Sequence, residues 1–175
     1  MGEAPLIHVL AVDDCPIDRK IVEKLLIKAS SFKVTAVDSG KKALEVLLGL
    51  NEEDVECPGV NDCRIDVILT DYCMPEMSGH DLLKVVKEHN CLKSIPVVVM
   101  SSEKEPQRIS GCIAMGAEDF ILKPLHLRDI QGLRNHVKPM APISKTGTKR
   151  KMPHDVMPDT NDSERRPCFT GVAVA

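Results

Sequence analysis

At 175 residues, 43% hydrophobic and 28% charged, the chain is long enough for one globular domain with a real core plus some extra length, and too short for a second full domain. Its formal charge of −3 divides unevenly: residues 1 to 138 hold 17 Lys or Arg against 22 Asp or Glu, and residues 139 to 175 hold 6 against 4. An acidic body with a slightly basic tail excludes a large basic face, so direct nucleic acid binding is not expected.

The start MGEAPLIHVL lacks a charged stretch followed by a signal-length apolar core, and no run approaches the roughly eighteen apolar residues of a bilayer span. A soluble intracellular protein with no membrane partner is expected. The seven cysteines are odd in number and lack CxxC pairs or zinc-like spacing, which suits free thiols in a reducing compartment.

In chain order, the first apolar run is a strand at residues 7–12, closed by Asp13 and Asp14. A helix follows, with Pro16 in its first turn and Ile17, Ile21, Leu25 and Ala29 spaced as one apolar face. A second strand at 33–37 leads through Ser39 and Gly40 into a helix at 41–50. Residues 51–64 are polar, acidic and broken by Pro58 and Gly59, the composition of a surface loop.

The third strand, 65–70, is closed by Asp71, and a helix runs from about Gly79 to His89. The fourth, 96–100, is an unbroken apolar run, as in a strand buried on both faces, and Ser101 stands at its end. A helix at 106–115 precedes a short strand at 119–122, closed by Lys123 and Pro124. The last helix places Leu127, Ile130, Leu133 and Val137 at spacings three, three and four. Five strands alternating with five helices predict a parallel sheet covered on both faces. From Pro139 onward five prolines fall within 37 residues without apolar periodicity, so residues 139–175 are expected to be a disordered tail without an output domain.

Carboxylates and an ammonium at the ends of separate parallel strands converge at one sheet edge, where such a fold places its site. If strands one and three are neighbours, Asp13, Asp14 and Asp71 would repel one another and raise each other's pKa. A divalent cation relieves that, and all-oxygen ligation suits magnesium. Asp71 is then the nucleophile of a phosphoryl transfer, with Lys123 and the Ser101 hydroxyl neutralising phosphoryl oxygens. Taken singly, each group has a plainer use: Asp14 or Cys15 as a helix N-cap, Lys123 as a solvated lysine, Ser101 as a loop cap. Their joint occurrence, each closing its own strand in order, favours the site.

The stretches VLAVDD, DVILTDYCMPEMSG, PVVVMSSE and DFILKP resemble those of two-component response regulator receiver domains across residues 6–138. The resemblance implies a flavodoxin-like, doubly wound five-stranded sheet of order 2-1-3-4-5. It also implies Asp71 as phosphoacceptor and Asp13 and Asp14 as magnesium ligands, joined by Asp71 itself and the Cys73 backbone carbonyl. Ser101 becomes the switch hydroxyl, Lys123 the phosphate-binding lysine after a cis Lys123–Pro124 bond, and Phe120 the switch aromatic. Positions 73 and 103, here Cys73 and Glu103, border the path of an attacking water and influence loss of phosphate in this family.

The long loop after the second helix, the SSE run and the short tail resemble the type-A response regulators of plants. That implies phosphate from a histidine-containing phosphotransfer protein and negative feedback in cytokinin signalling, within the nucleus or cytoplasm. A non-enzymatic monomer or weak dimer with phosphorylation-dependent effectors is expected. The alternatives are a receiver-like binding module of another two-component pathway, an aspartyl-phosphate phosphatase, for which Cys73 is a poor general acid, a transcription factor and a flavodoxin. The tail's Lys145 and Lys149 to Lys151 are a thin basis for DNA binding, and DDCPID is not a flavin-phosphate loop.

Overall fold

In the computed structural model, residues 6–49 and 64–138 are described. The predicted tail and most of the loop after the second helix lie outside them. Chain order is β1 Ile7–Val12, α1 Pro16–Lys28, β2 Phe32–Val37, α2 Gly40–Leu48, β3 Val67–Asp71, α3 Gly79–Glu88, β4 Val97–Ser101, α4 Pro106–Ala114, β5 Asp119–Leu122, α5 Leu127–Gly132 and a 3-10 turn, Leu133–Asn135. The five parallel strands lie in the order β2-β1-β3-β4-β5. This is the order implied above, with β1 and β3 at the point where the winding reverses.

Side-chain alternation along each central strand divides the core in two. Leu10, Val12, Ile68, Val97 and Val99 pack on one face with Leu82, Leu83 and Val86 of α3 and Cys112 of α4. Val9, Ala11, Val67, Leu69, Val98 and Met100 pack on the other with Val22 and Leu26 of α1, Ile130 of α5 and Leu133. The continuous apolar runs of β1, β3 and β4 therefore have no wet face, and these strands hold the ends from which the polar groups emerge.

Two strands begin later than their sequence pattern suggests, at Val67 and Val97, and end one residue later, because Asp71 and Ser101 keep ladder positions: Asp71 pairs with Met100 and Ser101 with Leu122. On α1 the predicted face is corrected. Ile17 and Ile21 are exposed, while Val22 and Leu26 are fully buried and Leu25 and Ala29 partly so. Both sets satisfy helical spacing and differ by one position, about 100° around the axis, and packing against α5 selects the second. The last helix also departs from expectation: its α-helical part stops at Gly132, a weak helix former, and the chain tightens into the 3-10 turn. Its stripe survives, with Ile130 and Leu133 buried.

Among the described residues Cys15, Cys73, Cys91 and Cys112 are free thiols. No helix among them is long and apolar enough to cross a membrane.

The loop from Asp71 to α3 is held by backbone contact. Gly79 N–H donates to Tyr72 O at 2.9 Å, and a Cβ at Gly79 would stand 2.1 Å from Asp71 O. The neighbour is backbone at the end of a buried strand and cannot swing aside. Gly79→Ala is therefore expected to lower unfolding stability by about 2 kcal/mol or more, as overpacking does. A urea melt checks this, and an unchanged midpoint would contradict it.

Candidate functional site

Where the strands end, register decides which polar groups meet. Val12 pairs with Thr70, so Asp13 and Asp71 occupy the next rung of neighbouring strands. Asp13, Asp14 and Asp71 each offer an oxygen such that all three atoms lie within 4.8 Å of one another. Asp13 and Asp71 are buried and Asp14 is exposed. They line a cavity of about 250 Å³ together with Cys15, Asp18, Cys73, Ser101, Ser102, Glu103 and Lys123. The sequence reading named Asp13, Asp14, Asp71, Cys73, Ser101 and Lys123, and the fold brings all six to this cavity.

Lys123 follows β5, and its peptide bond to Pro124 is cis. Its Nζ lies 2.8 Å from Asp71 Oδ1, 2.8 Å from Asp13 Oδ2 and 2.9 Å from Asp18 Oδ2. Burial pulls the Lys123 ammonium down, but the hydrogen bonds it donates to Asp13, Asp71 and Asp18 outweigh that, so its pKa is raised and it stays charged. Burial pushes the Asp71 carboxyl up, against the hydrogen bond and charge of Lys123, and the charges of Asp13 and Asp14 add to the rise. One ammonium thus serves three carboxylates and leaves the cluster short of positive charge. Hard oxygen donors under mutual repulsion suit a divalent cation such as magnesium.

Asp13 also organises its own loop. Its Oδ1 accepts from Cys15 N at 2.9 Å, and its carbonyl accepts from Arg19 Nη1 at 2.7 Å. Cys15 occupies the N-cap position of α1 without a side-chain cap bond, so neither it nor Asp14 takes the plain capping role. Ser101 is buried, and its Oγ accepts from Glu103 N at 3.1 Å. The hydroxyl proton is still able to donate elsewhere. Phe120 is partly buried against the core face that holds Val99 and Cys112.

Sequence reasoning missed two participants. Asp18 falls in the first turn of α1, where an acidic residue already has a use against the helix dipole, so nothing marked its reach to Lys123. Arg108 falls in the first turn of α4, where a cation opposes the dipole, and that mismatch was a usable signal.

A family profile described as "Response regulator receiver domain" matches residues 9–134. Among curated proteins, the two-component response regulator ORR1 of Oryza sativa subsp. japonica is 51% identical over 160 residues, which cover 90% of this chain and 66% of that protein. ARR5, a two-component response regulator of Arabidopsis thaliana, is 52% identical over 135 residues, 77% of this chain and 72% of that protein. The chain spans 60% of the length of a third such relative, ORR2 of Oryza sativa subsp. indica. Among solved structures, chemotaxis protein CheY4 of Vibrio cholerae is similar with a TM-score of 0.62 at 25% identity, covering 76% of this chain and 99% of that one. The receiver domain of NarL from Mycobacterium tuberculosis gives 0.61 at 25% identity, covering 75% and 96%.

The raised Asp71 pKa has a sign. A carboxyl whose folded pKa lies above its unfolded value binds its proton more tightly in the native state, so it favours folding at low pH and disfavours it once pH has risen through the folded pKa. Without divalent ions, Asp71→Asn is expected to melt a few degrees above the parent at neutral pH. The gap should close as pH falls through the acid range where Asp71 takes up its proton. Magnesium should raise the parent's melting temperature more than the variant's. Calorimetry at two pH values, with and without magnesium, measures all three, and a less stable variant would contradict this account.

Proposed function

The chain belongs to the response regulator receiver domain family, and we propose that it is a phosphorelay response regulator that takes a phosphoryl group onto Asp71. The observation that carries this reading is the Lys123 ammonium held at 2.8 Å from both Asp13 and Asp71 at the end of parallel strands, with Ser101 lining the same cavity. A buried carboxylate beside a fixed ammonium and a hydroxyl is equipped to attack phosphorus and to receive the charge of the transferring group.

The donor we propose is a histidine-containing phosphotransfer protein. An Asp71 oxygen forms the new bond to phosphorus while the phosphorus–nitrogen bond of the donor phosphohistidine breaks, and the imidazole leaves with the electron pair. Lys123 donates hydrogen bonds to the phosphoryl oxygens, exchanging part of its hold on the carboxylates for them, and the Ser101 hydroxyl donates to the same group. Asp13, Asp14, Asp71 and the Cys73 backbone carbonyl would hold magnesium, which supplies further neutralisation of the phosphoryl oxygens. The chain is an acceptor of phosphate and not a turnover enzyme in this reading. Its output passes through the surface of α4, β5 and α5.

Within the family we place the chain with the type-A regulators of plant cytokinin signalling, as a negative regulator working in nucleus or cytoplasm and, through that pathway, on transcription. The plant relatives at 51 to 52% identity support a plant two-component pathway, and the Ser101, Ser102, Glu103 run supports the finer placement.

Acetyl phosphate or a phosphorylated phosphotransfer protein should label the chain only with magnesium present. Asp71→Asn should lose the label, and Lys123→Met should lose most of the response to it. Labelling of Asp71→Asn at the parent level would sink the assignment. Ser101→Ala should still be labelled, yet show weaker NMR shifts around Phe120 with beryllofluoride as phosphate mimic. Equal shifts in the two proteins would make Ser101 a loop cap alone.

A further inference from the structure

Arg108 makes more contacts across the rim of the acceptor cavity than any role within α4 requires. Its Nη1 meets Glu103 Oε2 at 2.6 Å and Cys73 Sγ at 3.6 Å, its Nε meets Glu105 Oε2 at 2.5 Å, and its Cζ stands 5.0 Å from the centre of the Tyr72 ring. One guanidinium therefore fastens the loop after β4, through Glu103 and Glu105, to the loop after β3, through Tyr72 and Cys73. Two of these partners, Cys73 and Glu103, line the cavity that holds Asp71.

The cost of this placement argues that it has a use. A cation in the first turn of a helix faces the positive end of the dipole, and only the two glutamates just upstream and the ring face offset that. A planar, forked guanidinium can engage two carboxylates and stack at once, which an ammonium cannot. The Glu103 side chain is 61% exposed, so without Arg108 nothing in its burial would hold it in one place.

We infer that Arg108 is a positioning residue for the acceptor cavity: by engaging the Glu103 carboxylate in an ion pair, it withholds that carboxylate from water and lengthens the life of a phosphoryl group on Asp71. The inference rests on the phosphoacceptor reading. In the loss reaction a water oxygen forms a bond to phosphorus, the bond from phosphorus to the Asp71 carboxyl oxygen breaks, and its electron pair stays with the carboxylate. The proton of the attacking water must go to a base. A free Glu103 beside the cavity can take it, and a Glu103 tied to Arg108 has its charge already engaged.

The test follows the decay of label in the full chain after radiolabelled acetyl phosphate is removed, with magnesium present. Arg108→Met keeps helix propensity and removes the charge. It should lose label about tenfold faster than the parent, below the ~10²–10⁴ of a fully positioned base because the released glutamate is mobile. Arg108→Lys should fall between, since a point charge can hold one glutamate but not fork to two. The double variant Arg108→Met with Glu103→Gln should decay at the rate of Glu103→Gln alone, which a general loosening of the loops would not produce.

Equal decay in parent and Arg108→Met would overturn the inference, and so would an acceleration that persists undiminished in the Glu103→Gln background. Should Arg108→Met fail to fold, a parent-like rate in Arg108→Lys would overturn it equally. A parent that takes no label would bring down the phosphoacceptor reading and this inference together, whereas labelled proteins with equal decay would bring down this inference alone.

Discussion

The contact on which the rest of the structure depends is the ammonium of Lys123 among the carboxylates of Asp13, Asp18 and Asp71. Buried carboxylates are tolerated only when paired, because the loss of hydration otherwise forces them to take up protons. Lys123 supplies that pairing from a strand two removed from Asp71 in the sheet, so the site exists only when β3, β4 and β5 are all in register. Removing the lysine would leave buried charge uncompensated, which costs more than the pair itself contributes. Fold and site are in this sense one requirement.

The sheet meets that requirement because its centre is dry on both faces. β1, β3 and β4 send alternate side chains into two separate clusters, and the buried polar residues of these strands, His8, Thr70, Asp71 and Ser101, all lie at a strand end or one residue from it. Such packing resists displacement by even small volumes. The carboxylates therefore stand on a rigid floor, and their spacing is fixed by backbone register more than by their own rotamers. The close approach of Gly79 to the carbonyl of Asp71 extends this rigidity into the loop that follows β3.

What the sequence made legible follows from the same physics. Asp13, Asp71, Ser101 and Lys123 stood out because each interrupts an apolar run, and the order of the runs implied their convergence. Asp18 did not, since a helix's first turn gives an acidic residue a local use, and Arg108 was marked only by its mismatch with the dipole, because sequence carries no information on reach across loops. The buried face of α1 was ambiguous for a different reason: two stripes one residue apart both satisfy a period of 3.6, and only contact with α5 distinguishes Val22 and Leu26 from Ile17 and Ile21. The end of the last helix turned on one glycine, Gly132, whose weak helix propensity local pattern reading undervalued.

Burial also indicates where a change at the site can be felt. All five residues of β3 and of β4 are buried, whereas β5 has none, and α4 buries only Cys112. Elements with few buried contacts open and shift at lower free energy than the centre of a sheet. Ser101 links the two regimes: it ends the buried strand β4, and its Oγ accepts the N–H of Glu103, whose carboxylate is fastened to α4 by Arg108. A demand on the Ser101 hydroxyl from within the cavity therefore bears on the loop that begins α4, and through it on the face of the molecule least anchored to the core. A rigid β1–β3–β4 floor beside a lightly held α4–β5 wall is the arrangement in which a local charge change biases one surface without disturbing the fold.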